Sequence, residues 1–397
     1  MSASKSILLY AILFTALAGF MHWKSPLDAK ARKLWHLTLP LLPLVLLLQF
    51  AVTQLGIAGD ASLPTATQRL FNQVAGYQIR WRLAQAAWEV FVHAPLLGNG
   101  IGTLPWQFFI ANSNFPLGSG PPVAEHAHNL PLQLLAEYGI VPVVIMCWLL
   151  GRWLVALARR PWSAEQWWVM SLLGVAAIHS LLEYPMWYSF FLGIAALLLG
   201  ASSEPGFELH NGKRGALMCA LIIAVGVVPL VSLRTNYTRL EQRFNAPVTS
   251  DNAVWRATIE DMMRIQRESL LSPYVMLSLS AMMELNKREL PAKVEVCQLA
   301  IRFAPSRRIV FKCAAMMALA GKSGEAAKLM EQALRAYPKE AAAIAVEFKW
   351  RTKEFPELLP LQMLAEQIAA AAKLLPSGVL TSSIRKPRWV AGSIWLA

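Results

Sequence analysis

The sequence predicts an all-α protein: a polytopic membrane bundle of about six transmembrane helices, a large extracytoplasmic loop and a carboxy-terminal domain of tetratricopeptide-like helices. Three observations predict it. Hydrophobic residues make up 56% of the 397 and charged residues only 15%, with a mean hydropathy of +0.41, too apolar for a soluble domain of this size. Fifteen tryptophans, many beside apolar runs, fit interfacial aromatic belts. The net charge of +13 sits mostly in short loops between apolar runs, where topology accounts for it without a nucleic-acid partner.

Residues 1–233 read as the membrane domain and 234–397 as the helical tail. The first apolar run, 7–21, is a retained span and not a cleaved signal, because a second run follows after one short loop. That loop, 24–33, holds Lys24, Lys30, Arg32 and Lys33 against Asp28, and is cytoplasmic by the positive-inside rule. The second span, 34–55, contains Pro40 and Pro43 as kink points. From 56 to 129 no segment is apolar for long enough to cross, so this is the outer loop.

Within the loop, 78–93 has helical periodicity, with Trp81, Leu83, Trp88 and Val92 among its apolar positions, and Pro95 ends it. The glycines of Gly98-Asn99-Gly100-Ile101-Gly102 permit either a tight turn between interfacial helices or a backbone cradle for phosphate. Without a surrounding βαβ unit they are no dinucleotide fingerprint. Residues 112–123, rich in Asn, Ser, Gly and Pro, read as a mobile loop. The third span, 130–158, begins as an interfacial helix around Glu137; 167–182, 190–201 and 216–233 complete six, with both termini outside and 202–214 as a cytoplasmic link.

In the tail, Ala300 and Pro305 precede Ala333 and Pro338 by 33 residues, near the 34 of a tetratricopeptide repeat; Gly321 and Ala326 add to its pattern. Residues 234–290 supply a degenerate helical pair, and the stretch after Lys373 is expected to be poorly ordered. Cys147 and Cys219, inside apolar runs, read as small packing residues. Cys297 and Cys313 have no metal-ligand spacing, and both a disulfide and unpaired packing remain open for them.

The chemistry converges on Glu125-His126-Ala127-His128-Asn129, beside the membrane. Imidazoles suit proton transfer near neutral pH. His126 and His128 alternate, so in an extended or turn conformation they point to opposite sides and one of them serves a given reacting atom. Asn129 orients an imidazole or caps the helix beginning at Leu130. Arg80 and Arg82 are candidate phosphate ligands, with lipid-headgroup contact as the alternative; two apart on a helix, they cannot both face one ligand. His179 and Glu183 share a helical face, as a brace for the outer turn or as a dyad. No metal-ligand spacing is present, and no metal or cofactor is expected.

These residues match a known pattern. Arg80/Arg82, Trp88-Glu89, the segment from Pro95 to Gly102, His126-Ala127-His128-Asn129 and Glu137-Tyr138-Gly139 resemble the signature of the O-antigen ligase and polymerase superfamily. The stretch from His179 through Glu183-Tyr184-Pro185 to Trp187 looks like the branch of pilin-type O-linked oligosaccharyltransferases, which also carries a helical-repeat tail. The resemblance implies a metal-independent glycosyltransferase of GT-C type in the bacterial inner membrane, with the loop 56–129 and the tail in the periplasm. The donor would be a glycan on undecaprenyl pyrophosphate and the acceptor a Ser or Thr of a pilin or other periplasmic protein. His128 is then the first choice for the catalytic histidine and His126 the second. Arg80, Arg82 and Asn129 would bind substrate, and His179, Glu183 and Tyr184 would support the site. Family members typically carry further spans ahead of this region, so the chain reads as a carboxy-terminal half that would partner an amino-terminal one. The alternatives are a ligase acting on lipid A core, a polymerase, and a non-catalytic membrane-anchored scaffold.

Overall fold

A computed structural model describes residues 6–54, 74–203, 212–244 and 252–374; the expectations for 55–73, for most of the link 202–214 and for the stretch after 374 lie outside the described residues. Among the described residues all regular structure is helical, as expected for an all-α protein. They divide into two units, residues 1–104 with 126–207, and residues 105–125 with 208–397. Unlike the expected division at 233, the second unit takes in the middle of the outer loop.

The first unit opens with α1 (Ser6–Lys24), α2 (Ala29–Thr38) and α3 (Leu41–Gln54). Asp28 caps α2 by accepting from the Lys30 amide at 2.9 Å, and the chain breaks at Pro40, whose ring offers no N–H to continue a helix. Next come α4 (Val74–His93) and α5 (Leu104–Ala111), the latter lying almost wholly in the other unit. On α4 the residues Leu83, Ala86, Ala87 and Val90 are buried, an i, i+3, i+4, i+7 stripe, while Trp81, Trp88 and Val92 face outward. Then follow α6 (Leu130–Tyr138), α7 (Ile140–Ala158), α8 (Ala164–Leu182) and α9 (Ser189–Ala201). A Ser163/Gln166 capping box starts α8. Close approach of α1 and α8 depends on Gly174, where a Cβ would meet the Leu13 side chain at 2.6 Å.

Four described helical stretches are long and apolar enough to cross a membrane: Ser6–Lys24, Ala29–Leu48, Ile140–Ala158 and Gly215–Arg243. Two of the six expected spans fall short of that test. The helix α8 carries Glu165, Gln166 and His179. The 13 residues of α9 rise only about 20 Å, against a hydrocarbon core of roughly 30 Å. Along α7, Val144, Ile145, Trp148 and Leu149 are exposed, the surface expected of a helix in lipid. Cys147 is exposed there too, and Cys219 on the last span, so neither is the packing residue expected from its apolar surroundings.

The second unit contains α10 (Gly212–Phe244), α11 (Asn252–Glu268), α12 (Ser272–Met282), α13 (Leu290–Phe303), α14 (Arg307–Leu319), α15 (Ser323–Ala336), α16 (Ala341–Arg351) and α17 (Leu359–Lys373). One buried core runs from Leu240 and Met262 through Met316 and Met330 to Leu361. The start of α15 lies 33 residues after that of α13, and Ala300 and Ala333 are fully buried. Cys297 and Cys313 are joined as a disulfide, with Cα atoms 5.6 Å apart, linking α13 to α14. Lys312 ends α12 by donating to the carbonyls of Ser280, Ala281 and Met283.

The segment 112–123, expected to be mobile, is instead held in this unit. The Asn112 amide donates to Phe108 O at 2.8 Å and Pro121 O at 3.1 Å, tying both ends of the loop together, while Phe108 and Phe109 are fully buried. Here α5 helps to enclose a cavity of about 470 Å³ lined by Trp106, Ile301, Met317 and Leu329 together with Arg302 and Lys328.

Candidate active site

The glycine segment locks α4 to the junction of α6 and α7. Asn99 N donates to Ala136 O at 3.0 Å and Gly100 N to Glu137 O at 2.9 Å, while Ile140 N reaches Pro95 O at 2.8 Å. Gly98 has φ +72° and Gly139 φ +79°; a Cβ on either would run into the backbone of the other strand of this clamp, Glu137 or Leu96. Gly102 N donates to Glu137 Oε1 at 3.3 Å. With the Asn99, Gly100 and Gly102 amides engaged within the protein, the segment has the geometry of the tight turn of the two readings.

That clamp fixes α6, at whose start the histidines lie. Asn129 caps it, its Oδ1 accepting from Leu132 N at 3.1 Å, while its Nδ2 donates to Leu181 O at 3.3 Å. Both polar ends of Asn129 thus hold structure. One residue earlier, His128 has φ +51°, in the left-handed region. Its Nδ1 lies 2.6 Å from Glu183 Oε2, and the other oxygen of Glu183 accepts from Arg80 Nη2 at 2.5 Å. Glu183, the residue that ends α8, therefore joins Arg80 to His128. The His128 hydrogen bond holds the Glu183 carboxyl below the usual carboxylate range against the opposing effect of burial; the charges of His128, Arg80 and His179 act in the same direction as the bond.

Both imidazoles lie on Tyr184. The His126 ring stacks on it at 4.3 Å between centroids and meets Trp187 at 5.2 Å, while the His128 ring stands nearly perpendicular to it, 5.0 Å between centroids. The two histidines do not diverge as expected: positions two apart share a face of an extended segment, and both rings reach the same tyrosine. Behind His126, Gln133 Nε2 is 3.1 Å from His126 Nδ1 and 3.4 Å from Glu137 Oε1, and Gln133 Oε1 accepts from Ala127 N at 3.3 Å. Burial lowers the His126 pKa to about 4, against the raising effect of the Gln133 bond. Burial also raises that of Glu137, which is only 2% exposed.

The remaining residues lie farther out. His179 Nδ1 pairs with the Tyr10 hydroxyl at 3.0 Å, tying α8 to α1. Arg82 forms no ion pair with the described residues, and of the two arginines only Arg80 joins the cluster. Among the described residues no group of three or more His, Cys, Asp or Glu has a metal-site arrangement. Sequence reasoning missed Gln133. Its signal was an amide four residues before Glu137 on one face of an otherwise apolar helix.

Residues 1–149 match the model of the O-antigen ligase family, and residues 167–351 match that described as virulence factor membrane-bound polymerase, C-terminal. Comparison with curated proteins and with solved structures finds no match. The first matched segment supplies Arg80, His126 and His128 to the cluster, and the second supplies Glu183 and Tyr184. This multi-pass membrane chain belongs to the O-antigen ligase and polymerase superfamily of membrane glycosyl-transfer proteins.

Proposed function

We propose that the chain acts as an O-oligosaccharyltransferase of the bacterial inner membrane, moving a glycan from undecaprenyl pyrophosphate to a Ser or Thr of a pilin or other periplasmic protein. The observation that carries the reading is the Glu183 carboxylate bound at once to His128 Nδ1 and Arg80. A carboxylate on Nδ1 keeps the proton there and leaves Nε2 to act as base. In the reaction His128 Nε2 takes the proton of the acceptor hydroxyl as its oxygen bonds to the anomeric carbon. The bond from that carbon to the pyrophosphate oxygen breaks, and the electron pair leaves with the phosphate. Glu183 stabilises the imidazolium that results. Arg80, half exposed, retains donors beyond the one that meets Glu183 and faces the developing phosphate charge. Arg82 and Asn129 have no assigned part in this step.

A polypeptide acceptor is supported by the stacked helices of the second unit, an architecture suited to extended binding surfaces. A second reading, a polymerase that extends the lipid-linked glycan, is favoured by the description of the family matched over 167–351.

The test expresses the chain, alone and with an amino-terminal half from the same family, in cells holding a lipid-linked glycan and a candidate pilin. His128→Ala is expected to abolish glycan transfer with the protein level unchanged. Persistent transfer in both His126→Ala and His128→Ala would show that neither is the base. Growth of the glycan on lipid with unmodified pilin would replace the leading reading with the polymerase.

A further inference from the structure

Two histidines share Tyr184, yet their second nitrogens face opposite chemistry. The Nδ1 of His128 faces a carboxylate, which only accepts. The Nδ1 of His126 faces Gln133, whose amide orientation is set by the backbone. Ala127 N–H can only donate, so the Gln133 atom beside it is Oε1. Gln133 Nε2 then carries two hydrogens, one directed to Glu137 Oε1 and the other to His126 Nδ1. The reverse orientation would set an amide N–H against the Ala127 N–H. Glu137 is consistent with this arrangement. Its Oε1 also accepts from Gly102 N, and its buried Oε2 has no hydrogen-bond partner.

His126 Nδ1 is therefore an acceptor, and in the neutral ring the proton sits on Nε2. Burial against Tyr184 and Trp187, with His128 beside it, disfavours a second proton. We propose that the two histidines are locked in opposite tautomers, His128 as the base and His126 as a neutral donor whose Nε2–H bonds an oxygen of the departing phosphate. Gln133 and Glu137 are positioning residues that act through His126. The phosphate assignment rests on the glycosyl-transfer reading above; the tautomer assignment rests on hydrogen bonding alone. A neutral donor suits this place because negative charge grows on the phosphate in the step while the neighbouring His128 becomes cationic.

The experiment uses the full chain in detergent micelles, labelled with ¹⁵N-histidine, His126 being identified by the signal lost in His126→Gln. At pH 7 the expected spectrum has His126 protonated on Nε2. Gln133→Glu, which replaces the donating amide with an acceptor, is expected to move that proton to Nδ1. A wild-type His126 protonated on Nδ1, or doubly protonated, overturns the tautomer assignment. The donor role is read from binding of inorganic pyrophosphate. His126→Phe keeps an aromatic ring and removes the donor, so affinity is expected to fall about tenfold. His126→Gln carries an amide N–H near the position of Nε2 and is expected to stay within about threefold of wild type. Equal affinity in wild type and His126→Phe, or no pyrophosphate binding by wild type, overturns the donor role. An absence of glycan transfer with both measurements as expected would sink the proposed reaction, and with it the departing-phosphate role, and leave the tautomer assignment standing.

Discussion

Replacing Glu183 by Gln tests the cluster at its hub, because the shape is preserved and only the charge and one acceptor atom change. Arg80 can only donate, so the new amide must turn its oxygen toward Arg80. The amide N–H₂ then faces His128 Nδ1, where the carboxylate oxygen had been 2.6 Å away. That nitrogen must now accept, the ring proton moves to Nε2, and the base is lost although every heavy atom keeps its place. A positioned general base contributes about 10² to 10⁴ in rate, and transfer is expected to fall by that range. Stability should change far less. The Glu183 and Arg80 side chains are 34% and 51% exposed, so solvent screens the pair and its loss costs under about 1 kcal/mol. The assay is transfer from a lipid-linked donor to an acceptor peptide, with a thermal melt of the same sample. A turnover within about threefold of wild type would refute the tautomer argument. The melt offers a separate check with a defined sign. The Glu183 pKa is lowered on folding, so its contribution is present above the unfolded carboxyl value of about 4.3 and is lost as pH falls through the lower folded value. Glu183→Gln should lose that part of the acid sensitivity.

Three further outcomes are expected. Gly98→Ala combines φ +72° with a collision at the Glu137 carbonyl, and should destabilise by more than the ~1–3 kcal/mol of backbone strain alone; Gly102→Ala, at φ +71° in open space, should show the strain only, and equal melting shifts would remove the collision from the account. His126 is neutral when folded, with its pKa lowered to about 4, so the unfolded chain binds the extra proton between that value and about 6.5; stability should rise with pH across this window by up to ~1.4 kcal/mol per unit, and His126→Gln should flatten the slope in denaturation curves. Lys312→Met strips the donor from three carbonyls at the end of α12 and should cost about 1–3 kcal/mol by chemical denaturation, whereas an unchanged midpoint would mean that water replaces the amine without penalty.

Local rules were legible where local physics decides. Pro40 separates α2 from α3, Pro95 follows the end of α4, and Asn129 caps α6, each for reasons contained within a few residues. Which face of α4 is buried was less legible, because its bulkiest apolar residues, Trp81 and Trp88, lie opposite the small stripe that packs. The order within 112–123 was hidden as well: composition signals a loop, but Asn112 and its carbonyl partners make that loop part of a core. The interior of the site was hidden for a topological reason. Glu183 is 103 residues from Arg80 and 55 from His128, so helical spacing reveals only its weaker relation to His179.

The least legible feature is the single backbone torsion at His128. In an extended chain two residues separated by one share a face, so the His-Ala-His spacing by itself allows both imidazoles onto one side. At His128 the chain takes φ +51°, and one tyrosine receives both rings. A non-glycine residue in this region carries strain and persists where its surroundings over-determine it. Here the Glu183 bond and the perpendicular Tyr184 ring hold His128, and both come from the end of α8. The strain thus has a chemical correlate. It accompanies a His128 Nδ1 bonded to a carboxylate, next to a His126 Nδ1 bonded to an amide.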